Sequence, residues 1–197
     1  MRPPIEEFIP HPDIRERHET IVQAPAATVM EAARTFDMRT APLVRAIFWM
    51  RAKILRSRVA AEPIDARPFL EQMLSIGWGK LAEVEERYIV VGAATRPWVA
   101  DVAFAPIPAD QFRDYAEPER VKIAWTLEAE RLGPETSRFA TETRAVATDA
   151  VAREKFQRYW RIFGIGIVAI RWLLVPAIRR AAEERWRTTA PRGMLSR

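Results

Sequence analysis

The fold turns on Val121-Lys122-Ile123-Ala124-Trp125-Thr126-Leu127-Glu128-Ala129-Glu130 and Phe139-Ala140-Thr141-Glu142-Thr143-Arg144-Ala145, separated by Gly133-Pro134 and followed at Asp149 by an unbroken helical pattern. In the first segment Val121, Ile123, Trp125, Leu127 and Ala129 alternate with Lys122, Thr126, Glu128 and Glu130, the period of a strand with one buried and one wet face. In the second, Phe139, Thr141, Thr143 and Ala145 share one face, and Arg138, Glu142 and Arg144 share the other. With Thr148 or Asp149 as cap, the helix carries Phe156, Trp160, Phe163, Ile167, Ile170 and Leu174 at three- and four-residue steps. Two antiparallel strands leading into a long terminal helix predict an α+β fold, an antiparallel sheet curved around that helix. If Thr141, Thr143 and Ala145 face inward, their small, weakly polar groups form a cavity wall. The opposite register would put Glu142 and Arg144 inside.

Upstream, Arg15–Gln23 reads as a first strand. Ala24-Pro25 then starts a helix that ends before Asp37, with Pro25 in its first turn. A second helix is predicted over 41–57 from Leu43, Ile47, Met50 and Ile54, with a cationic opposite face. A helical turn over Phe69–Leu74 precedes strands at Trp78–Glu85 and Tyr88–Thr95, joined at Glu85-Glu86-Arg87. Beyond Pro97, Trp98, Ala100, Val102 and Phe104 alternate on one face. Pro106–Pro118 reads as a surface loop, or a flap over a pocket mouth. Residues 1–13, with four prolines, form an extended arm, residues 14–187 one domain, and residues 188–197 a flexible basic tail.

The 197 residues, 49% hydrophobic and 29% charged, suffice for one domain with a substantial core. The absence of cysteine excludes disulfides, thiolate metal sites and cysteine nucleophiles and fits a reducing compartment. Two histidines, His11 and His18, are too few for a histidine-rich metal site, so neither metal nor cofactor is expected. No phosphate loop or nucleophile elbow is present. Residues 150–197 hold eleven Lys/Arg against three acids, a charge of +8 that leaves −3 on the preceding 149. Such a basic end is drawn to anionic surfaces. The apolar run Ile162–Ile178 is short for a membrane span and is interrupted by Arg171 and Pro176, so it reads as a buried or interfacial helix. Gly164 and Gly166 thin it where a ligand or strand approaches, and Pro176 should kink it.

The order strand, two short helices, antiparallel strands and long C-terminal helix is that of the helix-grip fold. Glu19-Thr20-Ile21-Val22-Gln23-Ala24-Pro25-Ala26-Ala27-Thr28-Val29 resembles the opening strand and Ala-Pro helix start of the START-related SRPBCC superfamily, which includes lipid-transfer domains, pollen-allergen-type carriers and polyketide cyclases. Thr141-Glu142-Thr143-Arg144, with Asp149, Phe156, Tyr159 and Trp160, resembles a bacterial branch of it, and the likeness covers residues 14–180. It implies a hydrophobic pocket between sheet and last helix, but no particular reaction.

The expected pocket lining is Trp78, Trp98, Phe104, Trp125, Phe139, Thr141, Thr143, Trp160 and Phe163, a mostly apolar wall with a few hydroxyls. The first functional expectation is a non-enzymatic carrier or sensor of a lipid-like or polyketide-like molecule, cytoplasmic and peripheral to the inner membrane face. Contact with that face would run through Trp172, Leu173, Arg179 and Arg180. The alternative is a cyclase or dehydratase with Glu142 as pocket acid and Arg144 or His18 orienting the substrate. For that pair a solvent-facing ion pair is the commoner outcome. A third is an interaction module in which Ile165, Val168 and Trp172 meet a second copy. The charge asymmetry comes without a base-reading motif, so a nucleic-acid partner is not expected.

Overall fold

The computed structural model describes residues 5–56 and 67–189. In chain order these form α1 (Ile5–Phe8), β1 (Ile14–Val22), α2 (Ala26–Arg34), a short 3-10 turn, α3 (Pro42–Ile54), α4 (Phe69–Ser75), β2 (Gly79–Val84), β3 (Tyr88–Thr95), β4 (Phe104–Ala105), α5 (Ala109–Phe112), β5 (Val121–Arg131), β6 (Ser137–Ala147) and α6 (Ala150–Thr189). The strands make one antiparallel sheet in the order β1-β6-β5-β3-β2, and β4 pairs with the end of β3. With α6 laid along it, this is the α+β arrangement of a helix-grip fold.

Register settles which residues face the helix. Ile14, Glu16, His18 and Thr20 of β1 stand opposite Ala145, Thr143, Thr141 and Phe139 of β6. Ile123 and Trp125 of β5 stand opposite Ala145 and Thr143. Directly opposed residues share a face, so this set, with Ile89, Val91 and Ala93 of β3, forms the inner face. It packs against α2 and the Val175, Ile178 and Ala182 side of α6. Asp149 anchors the helix start, accepting from the Ala152 N–H at 2.7 Å and the Glu119 N–H at 2.6 Å, which holds its carboxyl below its usual range.

The outer face of the sheet is covered over β2, β3, the first half of β5 and the end of β6, and wet toward Glu19, Glu130 and Arg138. The arm is not extended: Ile5 and Ile9 are buried, and they join Leu81, Val90, Ala94, Ile107, Phe112 and Ala124 in a second core. The stretch 106–118 that reads as a loop or flap contains α5, whose Phe112 is fully buried in this outer core, away from the inner face. Beneath it, the buried Lys122 donates to the carbonyls of Phe112 and Arg113 at 3.1 and 2.6 Å, capping the end of α5. Gly92 of β3 makes room for this packing, because a Cβ there would lie 2.6 Å from both the Leu81 Cδ1 and the Phe112 ring.

Four local expectations change. The Trp98–Phe104 alternation does not make a strand, and only Phe104–Ala105 pairs. Pro25 is the N-cap of α2 rather than a first-turn residue. Gly164 makes room for the Trp160 indole and Gly166 for Ile47 of α3, so both glycines serve packing within the chain rather than a ligand. Helix α6 continues through Pro176 to Thr189, and the expected tail lies mostly outside the described residues.

Alanine in place of glycine within a strand normally stabilises by about 0.5–1 kcal/mol. Gly92→Ala should do the reverse, costing about 1–3 kcal/mol in urea denaturation, because Phe112 and Leu81 have to move.

Candidate functional site

The inner face carries two kinds of surface. Near β3 and β4 it is aromatic: the Trp78 ring lies 4.9 Å from Phe104 and 6.0 Å from Trp125, and Phe69 of α4 lies 5.5 Å from Trp125. Near β1 and β6 it is polar. Glu16, His18, Thr141 and Thr143 stand in two opposed pairs, and α6 lowers Arg171 onto them. The Arg171 guanidinium donates to the Thr143 hydroxyl. Burial holds Arg171 below its ordinary pKa, partly offset by the Glu16 charge. His18 lies edge-on to Trp172 with ring centroids 6.1 Å apart. Its Nε2 is shielded from solvent and has no hydrogen-bond partner; Glu16 Oε2 is 4.0 Å away. Burial and the nearby Arg171 charge push the imidazole below its usual pKa, so it is neutral at physiological pH.

All nine expected lining residues lie among the sheet-facing and end clusters, but not as one wall. Trp78, Phe104 and Trp125 form the aromatic group. Phe139 is fully buried at the α2 end, and Trp98, Trp160 and Phe163 pack with Val121, Ala145 and Phe156 at the start of α6. Thr141 and Thr143 lie between these groups. In the middle of the sheet Ile123, Trp125 and Thr141 are only half buried, while Ile89, Val91 and Ala93 beside them are fully buried.

Glu142 does not join this site. It is buried, 4% exposed, on the opposite face of β6. Arg15 donates to it at 2.9 Å, Arg144 at 2.7 Å and Arg17 at 3.5 Å; Arg17 also reaches Glu128 at 3.1 Å. Arg144 continues to the Ile9 carbonyl at 3.0 Å and Glu6 at 2.8 Å, fastening the N-terminal segment to the sheet. Burial alone would raise the Glu142 pKa, but the Arg15 and Arg144 hydrogen bonds and charges outweigh it and hold the carboxyl below the ordinary range. A carboxylate held ionised by three guanidinium groups, facing away from α6, is a structural anchor and not a pocket acid. Of the three candidate catalytic residues only His18 faces the site, joined there by Glu16 and Arg171. The spacing of Glu16 and His18 on the same strand face as Thr20 was the available signal for Glu16. Arg171 has only its oddity inside an apolar run.

Among the described residues no three His, Asp or Glu side chains gather as metal ligands. One helix, α6, is long and apolar enough by length and composition to cross a membrane, and 17% of its most apolar window is buried. Its Phe156, Tyr159, Phe163, Val175 and Ile178 side chains are buried in the protein.

No protein-family model matches the chain, and no curated protein matches it. Among solved structures it is similar to a crystal structure of the Zhui aromatase/cyclase from Streptomyces sp. R1128, at 14% identity over 90% of this chain and 98% of that one, with a TM-score of 0.30. A superposition that loose transfers no residue roles, so the fold rests on the register and packing described above.

Glu142→Gln should cost about 3 kcal/mol in urea denaturation by depriving the buried Arg144 of its buried counter-ion. Because the folded-state pKa of Glu142 is depressed, its contribution is present above the unfolded value of about 4.3 and fades as pH falls through the folded value. The acid limb of the stability profile should therefore be shallower in Glu142→Gln than in the parent.

Proposed function

We propose that the protein binds a hydrophobic small molecule between the inner face of the sheet and α4 and α6, as a member of the helix-grip superfamily of ligand-binding domains that its sequence resembles. The observation that carries this reading is the half-buried state of Ile123, Trp125 and Thr141 at mid-sheet, where a packed core would bury them as it buries Ile89 and Val91. Aromatic rings on one side and hydroxyls, an imidazole and a guanidinium on the other give an apolar cleft with a few convergent polar groups, the make-up of a ligand site. The cyclase-type alternative draws no support from Glu142, which is neutralised on the far face.

Native mass spectrometry of gently purified protein should detect a bound small molecule. Thr141→Phe, which fills the mid-sheet space, should abolish retention and leave thermal stability unchanged or raised. A protein that carries no ligand, and that Thr141→Phe destabilises, would show the space to be already packed.

A second observation extends the reading to a membrane surface. The apolar stripe expected to bury α3 is largely outside: Leu43, Met50 and Ile54 are exposed, as is Trp49. On α6 Ile165 is 83% and Trp172 68% exposed, with Ile162 beside them. Arg158 and Arg161 precede this band and Arg179 and Arg180 follow it, all four exposed. An exposed apolar band between cationic ends suits the headgroup boundary of an anionic bilayer. The chain should co-sediment with phosphatidylcholine vesicles containing phosphatidylglycerol more than with phosphatidylcholine alone. Ile165→Glu should weaken that binding at least about tenfold. Sedimentation as a dimer without vesicle binding would assign the band to a second copy instead.

A further inference from the structure

The two faces of the sheet treat buried charge differently. On the outer face Glu142 meets Arg15, Arg17 and Arg144, and Arg144 is fully engaged by Glu142, Glu6 and the Ile9 carbonyl. On the inner face Arg171 is held in an apolar segment, between Ile170 and Trp172, by one hydrogen bond to a neutral hydroxyl. Among the described residues no carboxylate comes within 4.0 Å of it, and Glu16 acts on it only at longer range. A guanidinium has five N–H donors, and Arg171, half buried with no counter-ion, loses part of its hydration. Beside it His18 keeps a shielded Nε2 without a partner. A shielded imidazole nitrogen without a partner and a half-buried guanidinium without a counter-ion thus converge where Thr143 stands in register between Glu16 and Trp125. Trp125 is the half-buried edge of the aromatic group, so a molecule lying on it brings one end to Arg171.

Resting on the proposed cleft, we infer that its ligand is an apolar carboxylate, whose anionic end is received by Arg171 with Thr143 and His18 and whose apolar body lies over Ile123 and Trp125. The carboxylate supplies the missing counter-ion and accepts bidentately from the guanidinium, which an ammonium could not match. The neutral imidazole donates from Nε2 in the tautomer that places its proton there. Glu16 is the one acid in register with the site, and its charge opposes the ligand. This sets the sign of its effect: removing the Glu16 charge strengthens binding.

The test is titration calorimetry of the full chain with dodecanoate and naphthoate, each against its uncharged methyl ester. The carboxylates should bind about 10- to 100-fold more tightly than the esters, the range for hydrogen bonds to a charged group. Arg171→Met should erase that preference by lowering carboxylate affinity to that of the ester, and should hold or raise the melting temperature, because a half-buried cation without a counter-ion has gone. A merely structural arginine would instead destabilise the fold when replaced. Glu16→Gln should increase carboxylate affinity. Equal binding of acids and esters, or an unchanged preference in Arg171→Met, overturns the inference and leaves the hydrophobic cleft standing. Binding of neither acids nor esters removes the cleft and the inference together.

Discussion

The buried charges on the outer face of β6, Glu142 and Arg144, belong to one network centred on Glu142. Arg15 and Arg17 reach it from β1, Arg144 from its own strand, and Arg144 carries the network on to Glu6 and the Ile9 carbonyl. Glu142 and Arg144 can be buried beside the N-terminal segment only because each meets partners in a setting where an unpaired ion is expensive. This network lets the sheet be covered on both faces. With the outer side closed by α1, α5 and the arginines, all the remaining freedom of the fold lies on the inner side, beneath α6.

That inner side is built with less material. Ala93, Thr141, Thr143 and Ala145 are small, and the buried bulk of α6 falls in two groups, Phe156 and Phe163 and then Val175 and Ile178, with Ile167, Ile170 and Leu174 between them only half buried. The helix is pinned at its start by Asp149 and farther along by Glu183, which accepts from the Gln23 N–H at 3.1 Å. Between these anchor points the sheet and helix are joined by the Arg171–Thr143 bond. Beside that contact Ile123, Trp125 and Thr141 of the sheet stay half buried. The same arrangement turns Ile165 and Trp172 outward, because a helix that rests one side on a sheet exposes the other.

Periodicity made most of this legible. The alternation in β5 and β6, the pair β2–β3 and the cap of α6 follow from side-chain period and from backbone groups that need partners, both local properties. The inward face of Thr141 and Thr143 was readable for the same reason. What covered the opposite face was not. Lys122, Thr126 and Glu142 look like a wet edge, since polar residues at period two ordinarily meet water. Burial of these residues comes from Ile5, Ile9 and Phe112, distant in sequence, and from arginines that neutralise one acid. Phe112 had no signal beyond one aromatic residue among prolines and charges. In α3 Leu43, Met50 and Ile54 keep the helical spacing of an apolar stripe, yet α3 meets α6 through Ile47 at Gly166 and those three are exposed.

The sequence alone therefore determined the main strands and longer helices, their order, the α+β class and which β6 residues share a face, because alternation and capping act between near neighbours. It also held, unread, the charges that matter. Whether Glu142 would be a catalytic acid or an anchor, and whether Arg171 would interrupt a span or reach into a cleft, depended on which element lay across each face of the sheet. Only tertiary structure decides that, since a charge is defined by the partners and water around it, and here those partners come from opposite ends of the chain.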